Sequence, residues 1–304
     1  MIKSKLITSA FQNLLAGKDI RNFKGKIIYY IIFRLIRKFL NSDIIVNIYN
    51  FKIFGSIKKN KTSYFLLKKC EFGDNNELDL IKKLSNKSKI LLLDCGCNYG
   101  FYSFFAASLS ENNLIISIEA SKKTSGEFLK NLNLNNFKNI NFKNFAISNR
   151  DNDLINFNES DNDWESSQTH SEFKSYSVSK LKTIKIDTLI KDVNLDDYTN
   201  ILKLDIEGNE INAIKGAKNL IEQSSPLIII EISKYIFDVK NNIEYLKNFL
   251  VNHNYSIYNV YKKKISVEKI MIDLNNLKKK NKTIGNYYLI KNSSKILEEF
   301  VSNE

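Results

Sequence analysis

The amino-acid sequence predicts an α/β fold with a mostly parallel sheet and helices on both faces. Two largely apolar runs, at residues 89–93 and 200–204, are each followed by an acid and a glycine-containing turn. A third run, at residues 114–118, ends in Glu119. Strands that are apolar on both faces are typical of buried parallel sheets, whose carboxyl ends form the ligand-binding edge. We therefore predict that the acids after these runs lie at one site.

A basic extension at residues 1–75, with an amphipathic helix and short strands, precedes the α/β domain predicted for residues 76–304. Residues 1–70 contain fifteen Lys or Arg and two acids, an excess of 13 that equals the formal net charge of the whole chain. The amphipathic helix is predicted at residues 26–40. Its longest apolar run is seven residues, whereas a membrane-spanning helix needs about 20. Three interpretations stay open: the helix packs on the domain, lies on an anionic membrane surface, or contacts phosphates of RNA.

The turn that follows the first strand has the sequence D-C-G-C-N-Y-G and begins at Asp94. Gly96 and Gly100 let the backbone turn sharply and approach a ligand closely. The turn differs from the dinucleotide fingerprint G-x-G-x-x-G, and an acid at the strand end would repel a pyrophosphate. It can instead hold an ammonium group or a hydroxyl, which S-adenosylmethionine offers without a phosphate. Glu119, 25 residues after Asp94, has the offset of a carboxylate that binds both ribose hydroxyls.

The remaining elements continue the alternation of helices and strands. The predicted helices lie at 76–84, 101–109, 122–133, 209–221 and 240–252, and the further strands at 139–143, 183–186, 227–232, 255–260 and 287–290. The alternation breaks at residues 150–182, a polar insert that we interpret as hairpin strands and a loop beside the ligand-binding edge. Trp164, Glu165 and His170 in this insert suit a substrate loop, because aromatic faces stack on sugars and carboxylates bind hydroxyls.

The segment D-C-G-C-N-Y-G-F-Y-S at residues 94–103 resembles the opening motif of the FkbM-type methyltransferases. The run 202–210, L-K-L-D-I-E-G-N-E, is the closest match to that family. Further similar segments follow in the family's order, at 118–120, 131–135, 146–149, 185–189, 215–217 and 226–231. Two positions depart from the pattern: Asn149 stands where the family often has Asp, and Ser-Lys follows Ile232 where members often carry His.

The resemblance implies a Rossmann-like class I methyltransferase with a seven-stranded, mostly parallel sheet. It implies S-adenosylmethionine as cofactor and a hydroxyl as acceptor, which we expect to belong to a sugar in a glycan or glycolipid precursor. The cofactor-binding residues that follow from the motifs are Asp94, Gly96, Asn98, Gly100, Tyr102, Glu119, Ala120, Ser148, Asn149 and Asp205.

Three carboxylates at the strand tips are the predicted catalytic residues: Asp205, Glu207 and Glu231. Methyl transfer to oxygen is an in-line displacement that needs alignment of the reacting atoms and a base for the proton. The sequence leaves open which of the three is the base. We expect no metal site.

Cys70, Cys95 and Cys97 form neither a disulfide framework nor a zinc site, which fits a reducing cytoplasm. The expected location is therefore cytoplasmic, with peripheral contact between residues 1–70 and the inner membrane surface as one interpretation. Two alternatives remain for the function. The chain could be an RNA methyltransferase that uses its basic arm, or a membrane-tethered binding module without catalysis.

Overall fold

The structure of the protein is a computed structural model that describes residues 2–40, 43–55, 61–160, 175–239, 241–278 and 285–302. The N-terminal part contains α1 (Ile2–Leu15), a 3-10 turn (Ile20–Phe23), α2 (Ile27–Ile36), β1 (Ile44–Ile48), β2 (Phe51–Gly55) and α3 (Lys61–Lys69). Strands β1 and β2 form an antiparallel hairpin. Among the described residues, no helix combines the length and apolar character that a membrane span requires.

The α/β part begins with α4 (Asn75–Lys87), β3 (Ile90–Cys95), α5 (Phe101–Leu109), β4 (Leu114–Ile118), α6 (Lys122–Asn133) and β5 (Ile140–Lys143). After β6 (Ala146–Ile147), the region of the polar insert contains β7 (Leu154–Ser160) and β8 (Ser175–Ile184), and α7 (Ile186–Leu189) follows. A 3-10 turn (Leu195–Asp197) leads to β9 (Thr199–Leu204), α8 (Glu210–Lys215), α9 (Lys218–Ser224) and β10 (Leu227–Glu231). The last elements are α10 (Lys234–Asp238), α11 (Asn242–Asn252), β11 (Tyr255–Tyr258), β12 (Lys264–Ile265), α12 (Val267–Lys278), β13 (Asn286–Lys291) and α13 (Lys295–Val301).

The main sheet has the strand order β12-β11-β13-β10-β9-β3-β4-β5. The five strands from β5 to β10 are parallel, and β13 runs antiparallel to both of its neighbours. This confirms the predicted α/β fold with a mostly parallel sheet. The sheet has eight strands where the sequence predicts seven, because β12 is a two-residue edge strand. A run that short gives no periodic signal.

Both faces of the sheet are covered, as the apolar strands predict. Alternate residues of β3 enter different apolar clusters, with Ile90 and Leu92 on one side and Leu91 and Leu93 on the other. Since successive side chains of a strand point to opposite faces, each cluster lies on its own face of the sheet.

The N-terminal extension shares the first of these clusters with the α/β part. The ring of Phe51 in β2 lies 5.6 Å from that of Phe101 in α5, and Phe72 stacks on Phe101 at 4.0 Å. The amide side chain of Asn131 accepts a hydrogen bond from the Phe54 backbone at 2.8 Å. The division of the chain after residue 75 therefore stays a prediction, since the two parts have a common core.

Two predicted elements differ from the structure. The predicted helix 209–221 is divided into α8 and α9, and at the division the Ala217 N–H donates to the carbonyl of Ile214, three residues earlier. A Cβ at Gly216 would lie 2.3 Å from the carbonyl oxygen of Ser148, so this position is close-packed. The strand predicted at 183–186 is the end of β8, a longer strand that pairs antiparallel with β7, and Ile186 already begins α7. Trp164, Glu165 and His170 lie outside the described residues.

Candidate functional site

The turns after β3 and β9 meet at the carboxyl edge of the sheet. The backbone N–H of Asp205 donates a hydrogen bond to the carbonyl of Cys95 at 3.1 Å. Gly96 has a φ of 78°, and a Cβ there would lie 1.8 Å from the carbonyl oxygen of Asp205. Only glycine fits a position that is both left-handed and this crowded. A backbone hydrogen bond thus joins the two turns that follow β3 and β9, at the edge where the sequence predicts Asp94 and Asp205 to meet.

Asp94 lies inside the sheet, fully buried. The Ser103 hydroxyl donates to its Oδ2 at 2.6 Å, and Lys203 Nζ lies 3.8 Å from its Oδ1. Burial raises the pKa of Asp94, while the Lys203 ammonium and the Ser103 hydroxyl act in the opposite direction. The ammonium group that Asp94 faces belongs to Lys203, and a direct contact between Asp94 and a cofactor stays a prediction.

Lys203 is a site residue that the sequence analysis did not select. It is 2% exposed, and its ammonium lies 3.1 Å from Asp205 Oδ2 and 4.7 Å from the centre of the Tyr102 ring. Burial lowers the pKa of Lys203, but Asp205 and Asp94 reverse this effect and hold the pKa above its usual range. The sequence signal that could have identified this residue is a lysine between two leucines near the end of a largely apolar strand.

Glu119 connects the first turn to the start of α6. Its Oε2 accepts a hydrogen bond from the Asn98 backbone at 3.0 Å, and its Oε1 accepts one from the Ser121 backbone at 2.9 Å. Asn98 has a φ of 49°, a left-handed conformation that asparagine tolerates better than most residues. The structure therefore brings together two of the predicted cofactor-binding residues, Asn98 and Glu119.

The other predicted cofactor residues lie around these turns in different environments. Gly100 has a φ of 94°, and a Cβ there would lie 2.4 Å from the Phe104 ring. Tyr102 is buried, and its hydroxyl donates to Asp74 Oδ2 at 2.8 Å. Its hydroxyl is thus engaged within the protein, and a contact between Tyr102 and the cofactor stays a prediction. Ala120 is half-buried, Ser148 is buried and Asn149 is exposed.

The three predicted catalytic acids form one cluster. Asp205, Glu207 and Glu231 each place a carboxylate oxygen within 4.8 Å of the others, and all three are half-buried. Glu231 ends β10, the strand next to β9. Burial first, and then the charges of Asp205 and Glu207, raise the pKa of Glu231 to about 10. Glu231 is therefore protonated at neutral pH and hydrogen-bonded to Asp205.

Glu210 holds the loop that carries two of these acids. Its Oε1 accepts hydrogen bonds from the backbone of Ile206 and of Gly208, both at 3.1 Å. Burial raises the pKa of Glu210 to about 7. Glu210 thus fixes the backbone of the loop, in which Glu207 has a left-handed φ of 54°.

Carboxylate oxygens this close together are also ligands that divalent cations accept. In this cluster, however, Glu231 carries a proton and Lys203 lies beside Asp205, so part of the charge is compensated within the chain. The expectation that no metal binds stays a prediction.

Residues 94–257, slightly more than half of the chain, match the family model described as the methyltransferase FkbM domain. No curated protein matches the chain in sequence at a significant level. Many solved structures resemble it, among them the three that follow. The methyltransferase FkbM from Methylobacillus flagellatus KT is 17% identical, with a TM-score of 0.39 over 75% of this chain and 52% of that chain. The present chain thus spans about half of that protein's length.

A putative caffeoyl-CoA O-methyltransferase from Staphylococcus aureus is 15% identical, with a TM-score of 0.40 over 73% of this chain and 85% of that one. M. jannaschii TYW2 in complex with AdoMet is 13% identical, with a TM-score of 0.37 over 82% of this chain and 83% of that one.

Proposed function

The chain belongs to the FkbM methyltransferase family, and on that premise we propose that it methylates a hydroxyl of a sugar in a glycan or glycolipid precursor. The observation that carries the methyltransferase assignment is the match of residues 94–257 to the family model. The methyl donor is S-adenosylmethionine, which supplies an electrophilic methyl group when it is bound. Transfer to oxygen, and a sugar as acceptor, are the further steps of this proposal.

The first turn and Glu119 fit such a nucleoside cofactor. Gly96 and Gly100 let the first turn pack closely against Asp205 and Phe104. Glu119 follows the neighbouring strand, and its carboxylate is held by two backbone N–H groups. A carboxylate fixed in this way is a good acceptor for ribose hydroxyls. We propose that Gly96, Asn98, Gly100, Glu119 and Ala120 bind the nucleoside, while Asp94 acts through Lys203. For Ser148 and Asn149 an adenine contact stays a prediction.

The acid cluster supports proton removal from the acceptor. Glu231 is protonated at neutral pH, because its pKa is raised to about 10, so it is poorly suited to accept a further proton. We infer that Glu231 donates a hydrogen bond to Asp205, and that Asp205 and Glu207 orient the acceptor hydroxyl and take its proton. Lys203 keeps Asp205 in place through their 3.1 Å ion pair.

The experiment that tests the function is transfer of labelled methyl from S-adenosylmethionine into fractionated host material. The fractions are glycan with lipid, RNA, and protein. We expect base-stable label, as in a sugar ether, in the glycan and lipid fraction. Label in RNA would show that the acceptor is RNA and that the basic extension contacts its phosphates. Cofactor binding without label in any fraction would indicate a binding module without catalysis.

We also propose that the enzyme works in the cytoplasm and makes peripheral contact with the inner membrane through residues 1–70. Such contact would bring the site to a glycolipid precursor held in that membrane. The excess of 13 positive charges in residues 1–70 supports contact with anionic lipids, and the three cysteines are free thiols, as expected in a reducing compartment.

A further inference from the structure

Helix α2 is held in place by one of its two apolar faces. Tyr29 and Phe33 are buried, and their rings lie 6.1 and 6.4 Å from that of Phe11 in α1. The Tyr29 hydroxyl donates to the carbonyl of Leu67 in α3 at 2.5 Å. These contacts pack the face of α2 that carries Tyr29 and Phe33 against the rest of the extension. Packing on the protein requires no second apolar face.

The opposite face of α2 is also apolar, and it is exposed. Ile27, Ile28, Ile31 and Leu35 are 74%, 74%, 53% and 66% exposed, and we call these four residues the α2 outer face. With 3.6 residues per turn they span an arc of about 100°. Tyr29 and Phe33 point to the other side of the helix. A contiguous exposed apolar stripe of this kind marks an interaction surface.

Basic side chains lie beyond both ends of the α2 outer face and along one of its edges. Lys26 precedes the helix, Arg34 lies within it and Lys38 follows it, and all three are exposed. Residues 1–70 contain two acids, and one of them, Asp19, is paired with Arg21. An aliphatic stripe with a cationic border is the pattern of a helix that lies in the plane of a bilayer, with its apolar side among the acyl chains and its charges at the phosphates.

Two other occupants fit this surface less well. A second copy of the chain would bring two equally basic surfaces face to face across a symmetric contact. RNA would satisfy the cations but would leave the four aliphatic side chains uncovered, because its backbone is polar and charged.

We propose that the α2 outer face inserts into the interfacial region of an anionic bilayer, while Lys26, Arg34 and Lys38 contact the lipid phosphates. The inference rests on the proposed function only in the choice of the inner membrane. It makes α2 the element that keeps the chain at the membrane surface.

The test is co-sedimentation of the full chain with vesicles of phosphatidylcholine, alone or mixed equally with phosphatidylglycerol. We expect binding to the mixed vesicles that weakens with added salt, and little binding to phosphatidylcholine alone. Replacement of the four outer-face residues by Ser should lower the partition coefficient at least about tenfold. The variant R34Q/K38Q should lower it mainly at low salt.

The matched control is V251S/Y261S, which removes two apolar side chains that are 79% and 77% exposed far from α2 in sequence. Circular dichroism and thermal unfolding establish that all variants are folded. Unchanged vesicle binding by the outer-face variant overturns the inference, as does equal binding to neutral vesicles. A dimer of the wild-type chain that the outer-face variant loses would identify a second copy as the occupant and overturn it too.

The two proposals fail separately. If the wild-type chain transfers methyl groups to glycan material but does not bind the vesicles, the membrane inference and the proposed membrane contact of residues 1–70 are wrong, and the proposed methyl transfer to a sugar hydroxyl stands. If it binds the vesicles through α2 but labels RNA, the membrane inference stands and the proposed acceptor is wrong.

Discussion

The ammonium of Lys203 lies 3.1 Å from the carboxylate of Asp205, at the point where β9 ends and the candidate catalytic loop begins. The same ammonium is 3.8 Å from Asp94 in the neighbouring strand. One buried cation thus connects the acid of the first turn with the acid of the second. This arrangement explains why two carboxylates can lie at adjacent strand tips within one core.

The first prediction concerns Lys203→Met. This change leaves Asp94 buried without its counter-charge, and loss of one partner of a buried ion pair costs about 3–5 kcal/mol. We expect that loss in the free energy of unfolding, measured with urea at neutral pH. The control is Lys182→Met in β8, at an exposed position, where we expect a change within about 0.5 kcal/mol. Equal effects of the two variants would show that the pair does not stabilise the fold, and the double variant D94N/K203M should recover part of the loss.

The second prediction concerns Gly96→Ala. The new methyl group would lie 1.8 Å from the Asp205 carbonyl, so the loop that carries Asp205 must move. We expect weaker S-adenosylmethionine binding by calorimetry and a free energy of unfolding lower by at least about 1–3 kcal/mol. Gly126→Ala is the matched control, because a Cβ at this position in α6 meets nothing within 4 Å. Alanine there should stabilise the helix by about 0.5–1 kcal/mol. Similar behaviour of both variants would contradict the tight contact between the turns.

The third prediction concerns Glu119→Gln. The substitution keeps the size of the side chain and one acceptor oxygen, but it removes the charge that strengthens hydrogen bonds to hydroxyls. A hydrogen bond to a charged group contributes about 1.5–3 kcal/mol, so we expect S-adenosylmethionine to bind roughly 10–100-fold more weakly. Glu111→Gln, at an exposed position, should bind as the wild-type chain does. If Glu119→Gln also retained full affinity, the cofactor would not contact this carboxylate.

The fourth prediction is a pH dependence of stability that Glu231 causes. Its pKa is raised from the ordinary value of 4.5 to about 10, chiefly by burial. Between these two pKa values the folded chain holds a proton that the unfolded chain releases. Glu231 therefore lowers the free energy of unfolding as the pH rises. Glu231→Gln removes this effect. The urea midpoint of the variant, relative to that of the wild-type chain, should therefore rise from pH 5 to pH 9, roughly the range in which the folded and unfolded states differ in protonation. Parallel curves for the two proteins would contradict the raised pKa.

The sequence was sufficient to predict the sheet and the edge where the site lies, because each of β3, β4 and β9 is an apolar run that ends at an acid or a turn. It did not reveal the role of Lys203, since a lysine in a strand is usually at the surface and one of its two partners, Asp94, lies in a different strand. The division between α8 and α9 was also hidden. At this division the Ser148 carbonyl approaches Gly216, a contact between residues far apart in the sequence.

The two apolar faces of α2 show a different limit of sequence reasoning. A sequence pattern predicts one apolar and one charged face for an amphipathic helix. Only the packing of Tyr29 and Phe33 against the rest of the extension reveals that Ile27 and Ile31 lie on a second, uncovered face.

The fifth prediction separates the roles of the three acids in catalysis. Asp205→Asn removes a carboxylate that we propose to orient and deprotonate the acceptor, and a positioned base contributes about 10²–10⁴-fold to the rate. We expect a loss of that size in kcat. Glu231→Gln keeps a hydrogen-bond donor toward Asp205, so its kcat should fall by less than about tenfold.

The comparison is made at saturating S-adenosylmethionine, with the cofactor affinity of each variant measured separately. The kcat of Glu207→Gln should resemble that of Asp205→Asn if the two carboxylates share the acceptor's proton. It should resemble the kcat of Glu231→Gln if Asp205 takes the proton alone. A larger loss in Glu231→Gln than in Asp205→Asn would reverse the assignment, because it would mean that the carboxyl group of Glu231 is the base despite the proton it holds at neutral pH. The pH profile of kcat in Asp205→Asn then distinguishes loss of a base from loss of alignment, since only the former removes the acidic limb of the profile.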